Sequence, residues 1–169
     1  MANTYVKIAS ATVGSGGAAS IDFTSIPGTY TDLLVKASLR SAAASVNPGL
    51  LIKLNTSAAN FTGRNAYGTG SATGSYSDTA GEIGILAGNS ATANTFGNCE
   101  IYIPNYAGSA SKSFSVDTVN ENNGTSANQY IYANLWTNSA AITGITLLSG
   151  GSVNLLEFSS ATLYGISKS

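Results

Sequence analysis

The chain has 169 residues, of which 9% are charged, and its formal net charge is −1. It contains no histidine and a single cysteine, so it lacks the usual acid-base catalyst and the several ligands of a structural zinc site. We therefore expect a non-enzymatic protein without a cofactor. The seven lysine and arginine residues are spread along the chain and form no basic stripe, so nucleic acid is not an expected partner.

Alternating segments bounded by Gly, Asn, Ser and Pro recur along the chain, and they are typical of short antiparallel strands. In chain order, strands are predicted at 5–9, 21–23, 30–40, 50–54, 82–86, 100–103, 113–117, 130–136, 142–148 and 162–166. The longest of them places one apolar set on a single face: Leu33, Val35, Ala37 and Leu39. No stretch keeps a helical stripe for three turns. The sequence predicts an all-β protein, an antiparallel β-sandwich of jelly-roll type with about ten strands, in a single domain over residues 1–169.

The segment 56–80 has a different character. Residues 60–67 are compatible with a strand, but the small residues from 68 to 75 offer no core-forming face, and we expect an exposed loop around 68–80. Tyr67 and Tyr76 flank this loop, and Arg64 is close to them in sequence. Rigid rings with polar tips are typical of sugar-binding and protein-binding faces. Arg64, Tyr67 and Tyr76 are therefore candidate surface contacts; alternatively, the two tyrosines hold the loop against the domain.

Two sets of residues are assigned to the interior. Tyr130, Tyr132 and Trp136 share one face of a predicted strand, and we expect them in the core. Cys99 lies in an alternating strand, has no second cysteine to pair with and no histidine to activate it. Free cysteines are commonly buried, so we expect an unreactive thiol inside the fold.

Two further kinds of site were considered. A glycosidase needs two carboxylates about 5–10 Å apart, and Asp78 with Glu82, or Asp117 with Glu121, are the pairs closest in sequence. Carboxylates at strand ends are more typical of turns, so no catalytic residue is assigned. Asparagine and carboxylate oxygens in the turn 120–124 could also hold calcium. The spacing matches no EF-hand, no metal ligand is assigned, and calcium binding stays open.

Low charge combined with apolar strands leaves little repulsion between copies, which favours a surface covered by neighbouring copies. We expect a closed homo-oligomer, a trimer; a soluble monomer with a hydroxyl-rich surface is the alternative. Residues 1–4 lack the basic and apolar regions of a secretory signal, and no apolar run approaches the roughly 20 residues that span a bilayer. We expect synthesis in a cytoplasm and no membrane partner.

Seven segments spread over nearly the whole chain carry a family resemblance: residues 5–10, 20–27, 30–33, 38–41, 103–106, 112–117 and 161–166. They resemble a group of small structural proteins from tailed bacteriophages, particularly those of marine and cyanobacterial hosts. The resemblance implies a component of the virion, a trimeric β-sandwich, with capsid decoration and tail-fibre roles both open. None of these segments is a catalytic signature, so no functional residue is transferred.

From these observations we expect a capsid decoration (cement) protein that binds other virion proteins, above all the major capsid protein, and stabilises the assembled shell. The alternative is a tail-fibre or receptor-binding module that recognises host surface glycan. Length favours decoration, because one compact domain lacks the long trimeric shaft of most fibres. The expected location is the virion.

Overall fold

A computed structural model describes residues 4–124 and 127–167, so residues 1–3, part of the segment tested for a secretory signal, lie outside it. The described residues form twelve strands: β1 (Tyr5–Thr12), β2 (Ile21–Phe23), β3 (Asp32–Leu39), β4 (Gly49–Leu54), β5 (Phe61–Gly68), β6 (Thr73–Asp78), β7 (Glu82–Ile85), β8 (Gly97–Pro104), β9 (Lys112–Asn120), β10 (Asn128–Trp136), β11 (Ile145–Ser149) and β12 (Ser160–Ile166). One short 3-10 helix, Gly150–Ser152, precedes β12. Among the described residues, no helix has the length and apolar character to cross a membrane.

The strands lie in two antiparallel sheets. The wide sheet has the order β1-β12-β3-β8-β9-β10-β5-β6, and the narrow sheet has the order β2-β11-β4-β7. All ten strand pairs within the sheets are antiparallel. The predicted all-β sandwich is thus confirmed, with twelve described strands in place of about ten.

Eight of the strands have the connectivity of a jelly roll. Counted along the chain, the first pairs with the last (β1 with β12), the second with the second-last (β2 with β11), and so on through β3 with β8 and β4 with β7. Successive pairs alternate between the two sheets, as in a long hairpin wound around a core. The other four strands are insertions, with β5 and β6 between β4 and β7, and β9 and β10 between β8 and β11.

The inserted strands widen one sheet only. We call β9, β10, β5 and β6 the extension, and the wide-sheet surface facing the narrow sheet its inner face. Strand β7, at the edge of the narrow sheet, packs against β9 and β10. Strands β5 and β6 therefore carry the wide sheet past the edge of the narrow one, which makes the extension the distinctive part of the molecule.

The core lies between the two sheets and follows the predicted alternation. Leu33, Val35 and Leu39 are fully buried on β3, because every second side chain of a strand points to the same face. Tyr132 and Trp136 are also fully buried, as predicted, whereas Tyr130 is half-buried against the core.

Cys99 is buried, with 1% of its surface exposed, as the sequence predicted. Burial, followed by the nearby charges of Asp117 and Glu100, raises the pKa of its thiol. A protonated thiol is a poor nucleophile. The position therefore favours a packing role for this side chain.

Two buried cations brace the loops at the ends of the wide sheet. The guanidinium of Arg40 donates to carbonyl oxygens of residues 91–95 at 2.7 to 3.1 Å. The ammonium of Lys112 donates to the carbonyl oxygens of Gly108 and Ala140, both at 2.7 Å, and lies 5.9 Å from the ring centroid of Trp136. Burial lowers the pKa of Lys112. Carbonyl dipoles compensate the buried charge in both cases, as a buried cation requires.

A glycine contact between β7 and the extension yields a stability prediction. A Cβ at Gly84 would lie 2.3 Å from Cγ2 of Thr118, which is fully buried on β9. We expect Gly84→Ala to lower the free energy of unfolding by about 1–3 kcal/mol, because a packed core has no room for an added methyl group. Gly68→Ala is the matched control, since a Cβ there meets nothing within 4 Å. Chemical denaturation measures both variants, and equal losses would contradict the contact.

Candidate functional site

Four tyrosines meet on the inner face of the extension, and we call them the tyrosine cluster: Tyr67, Tyr76, Tyr130 and Tyr132. The antiparallel register places Tyr67 of β5 opposite Tyr130 of β10. It also places Tyr76 of β6 and Tyr132 of β10 on either side of the same β5 residue, Asn65. Ring centroids are 5.0 Å apart for Tyr67 and Tyr130, and 5.7 Å for Tyr130 and Tyr132, both stacked. Tyr76 contacts the other three rings at centroid distances of 6.3 to 6.4 Å. These separations are typical of favourable aromatic pairs.

Glu82 of β7 joins the tyrosine cluster to the narrow sheet. The hydroxyl of Tyr132 lies 3.1 Å from Oε1 of Glu82 and 2.8 Å from the hydroxyl of Tyr76, which donates to the same carboxylate oxygen. Burial raises the pKa of both Tyr132 and Tyr76, and hydrogen bonding within this group raises that of Tyr132 further. The hydroxyl groups of these two tyrosines are therefore engaged in hydrogen bonds within the chain, which favours a bracing role for both.

The structure separates Arg64 from the two tyrosines with which it was grouped. Arg64 is an even-numbered position on β5, whereas Tyr67 is odd-numbered and Tyr76 lies opposite odd-numbered Asn65. Since successive side chains alternate between faces, Arg64 lies on the outer face, where its Nη1 donates to the carbonyl of Gly63 at 2.8 Å. The alternative role considered for Tyr67 and Tyr76, holding the segment to the domain, agrees with their ring contacts.

The segment around 68–80 is largely exposed, as expected, but it is mostly a hairpin, which corrects the expectation of a loop. Strand β6 (Thr73–Asp78) pairs with β5 in continuous register. The turn between them is Gly70-Ser71, with φ of 81° at Gly70 and a hydrogen bond of 2.9 Å from the Thr69 amide to the Ala72 carbonyl. Gly at the first central position is typical of a two-residue type II′ hairpin. Backbone pairing forms this strand without a core-forming face, which is why its side chains do not reveal it.

Two of the four carboxylates named as possible catalytic pairs, Asp78 and Glu121, support turns. Oδ2 of Asp78 accepts hydrogen bonds from the amides of Ala80 and Glu82, at 2.9 and 3.0 Å. Oε1 of Glu121 accepts one from the amide of Asn123 at 2.7 Å, within the turn considered for calcium. Across residues 4–124 and 127–167, no three His, Cys, Asp or Glu side chains are grouped to hold a metal ion.

The outer face of the extension carries an open groove of about 850 Å³. Its lining combines small and apolar side chains with a few polar ones, among them Ala66, Gly68, Ser75, Val119, Gln129 and Ile131. Ile131 is 58% exposed there. Ile131 has no predicted role, although its sequence position carries a signal. Once Tyr130, Tyr132 and Trp136 are assigned to the core, alternation turns Ile131 outward.

Comparison of this chain with protein-family models, with curated proteins and with solved structures finds no match. The fold and the two candidate surfaces therefore rest on the chain's own sequence and geometry.

The tyrosine cluster predicts a stability loss at alkaline pH. The pKa of Tyr132 is raised in the folded state, so above the ordinary tyrosine pKa of about 10 the unfolded chain loses this proton first. The contribution of protonated Tyr132 to the free energy of unfolding is complete below pH of about 10 and is lost as pH rises towards the folded-state pKa. The free energy of unfolding should fall less steeply with pH in Tyr132→Phe than in the exposed-tyrosine control Tyr5→Phe. Denaturation between neutral and alkaline pH measures this, and identical slopes would contradict it.

Proposed function

We propose that this protein is a non-enzymatic structural component of a bacteriophage virion and decorates the outside of the capsid by binding the major capsid protein. The groove on the outer face of the extension is the observation that carries the decoration role. The phage context rests on the segments that resemble virion proteins.

The acidic side chains support a non-enzymatic role. Six of the eight Asp and Glu residues in the sequence accept hydrogen bonds from other residues of the fold: Asp22, Asp32, Asp78, Glu82, Glu100 and Glu121. Asp32, for example, accepts from the hydroxyl of Tyr102 and from the amide of Asn105, both at 2.9 Å. Carboxylates used in this way are structural connectors, which favours a protein that binds over one that catalyses.

The groove fits a protein partner better than a small ligand. It is broad and open, and pockets for small molecules usually enclose most of their ligand. Covering a large aliphatic side chain contributes about 1.5–3 kcal/mol when burial is complete, and Ile131 has 58% of its surface available for such burial. Gly68 and Gly70 at the rim have open space where a Cβ would stand. A segment of a shell protein can therefore approach closely over Ile131.

Binding through this groove would stabilise an assembled capsid. A protein that binds only the assembled shell stabilises the shell by mass action. Because this stabilisation adds over all occupied sites of a particle, a modest contribution from each copy is sufficient. A jelly roll with few charges and an open groove that exposes Ile131 fits this role.

Ile131→Asp tests the groove directly. An exposed position tolerates the substitution in the folded state, but burying the new carboxylate against an apolar partner is unfavourable, so we expect binding to capsids stripped of this protein to weaken at least about tenfold. Thr62→Asp is the matched control, because it adds the same charge to an exposed outer-face position of the neighbouring strand β5, away from the groove. Co-sedimentation with stripped particles gives both affinities. Equal binding by the two variants would contradict the proposal.

Particles that lack this protein test the role itself. We expect them to release their genome at lower temperature or under weaker osmotic shock, and to adsorb to host cells at the normal rate. Re-adding the protein should restore shell stability. Robust particles that fail to adsorb would overturn the decoration role.

That outcome would favour the second candidate, a module that recognises host glycan. The observation that supports it is Tyr76, a residue that is 38% exposed at the rim of the tyrosine cluster and could stack on a sugar. Tyr76→Ala and Tyr67→Ala would then lower adsorption. Arg64→Ala should leave adsorption unchanged in that case, because Arg64 lies on the side of the sheet away from these rings.

A further inference from the structure

The four edge strands of the two sheets differ in how they are protected. An edge strand exposes unpaired amide and carbonyl groups, and natural proteins protect such edges with short strands, lysine, proline or bulges. Strand β1 contains Lys7 and a register shift between Lys7 and Ala9. Strand β2 has three residues and β7 has four, and the pairing of β7 with β4 also shifts register.

Strand β6 has none of these protections. It is six residues long, contains no lysine or proline, and pairs with β5 without a register shift. Four of its six side chains are exposed, and Asp78 at its end is its only charged residue. An edge of this kind is a template for another strand.

We propose that β6 pairs with β6 of a second copy of this chain, antiparallel across a two-fold axis, so that the two wide sheets join into one. This contact does not depend on the proposed decoration role. It also differs from the trimer expected from composition, because a single two-fold contact closes as a dimer.

The hairpin turn determines which backbone groups of β6 are available. Residues 69 and 72 form a hydrogen-bonded pair next to the turn, and bonded and non-bonded pairs alternate along an antiparallel ladder. Gly74, Tyr76 and Asp78 therefore direct their amides and carbonyls towards β5. Thr73, Ser75 and Ser77 direct theirs to the open edge.

In one antiparallel register, all three of these residues lie opposite outward-directed residues of the second copy. With Ser75 opposite Ser75 of the second copy, Thr73 faces Ser77 and Ser77 faces Thr73. Each of the three pairs is then a hydrogen-bonded pair that exchanges two bonds, so the contact contains about six backbone hydrogen bonds. The sequence of this edge is thus self-complementary about Ser75.

The side chains fit the same register. Tyr76 of one copy lies opposite Gly74 of the other, and the ring of Tyr67 already covers Gly74, since a Cβ there would lie 2.6 Å from its Cζ. The incoming Tyr76 ring therefore arrives beside Tyr67 and gains an aromatic neighbour. Asp78 faces Ala72 of the second copy, and the two Asp78 carboxylates lie at opposite ends of the contact, so no like charges meet.

Sedimentation equilibrium with a proline variant tests the pairing. We expect the wild-type chain to be a dimer at micromolar concentration. Ser75→Pro removes an amide that points away from β5, so the hairpin keeps its internal bonds while the two-fold contact loses two. The dimer dissociation constant should rise about 10- to 100-fold. Ser75→Thr, which retains the amide, should leave the constant unchanged.

A cysteine variant keeps the proposal testable if the proline variant does not fold. Ser75→Cys places two thiols opposite each other at the axis, so a short bifunctional thiol reagent should give a covalent dimer. Ser113→Cys, exposed on β9, is the control that should stay uncrosslinked, and buried Cys99 gives no background. A wild-type monomer, a trimer unaffected by Ser75→Pro, or equal crosslinking of the two cysteine variants would each overturn the proposal.

Discussion

The backbone ladder of the wide sheet is the constraint on which the rest of the molecule depends. Eight strands share one antiparallel ladder, with a register shift at Lys7/Ala9 of β1, and away from that shift the side-chain period of two assigns each strand residue to a face. A slip of one residue on β10 would turn Tyr132 and Trp136 out of the core and bring Ile131 in. The same ladder therefore determines the tyrosine cluster on the inner face, the groove on the outer face and the free backbone groups at the β6 edge.

The few charges of this chain act mainly as internal connectors. Arg40 and Lys112 are buried, and carbonyl oxygens compensate their charges. Glu82 accepts hydrogen bonds from two tyrosine hydroxyls. The surface ion pair Lys36–Glu100 has an N–O distance of 2.5 Å, but a solvent-exposed pair of this kind contributes little to stability. A chain with few charges can therefore still form a well-braced fold.

The sequence predicts the fold class because the apolar alternation of strands such as β3 and β10 is local. It identifies the buried residues Leu33, Tyr132 and Cys99 for the same reason. Strand β6 was missed because its Gly, Ser and Thr side chains carry no pattern, and pairing with β5 is what makes it a strand. The tyrosine cluster was missed as a unit because Tyr67 and Tyr130 are 63 positions apart in the numbering. Only the order of β10, β5 and β6 in the sheet brings these rings together.

The groove and the β6 edge lie on the same part of the extension, and this proximity connects the two proposals. Ser75 lines the groove and is also the residue on the proposed two-fold axis. Directly opposed residues in an antiparallel pair point to the same face, so pairing through Ser75 would place both outer faces on one side of the joined sheet. Two grooves, each with an exposed Ile131, would then face a partner together. Linked contacts bind more strongly than either contact alone, so a dimer of this geometry would hold a shell with two shallow grooves that are weak singly.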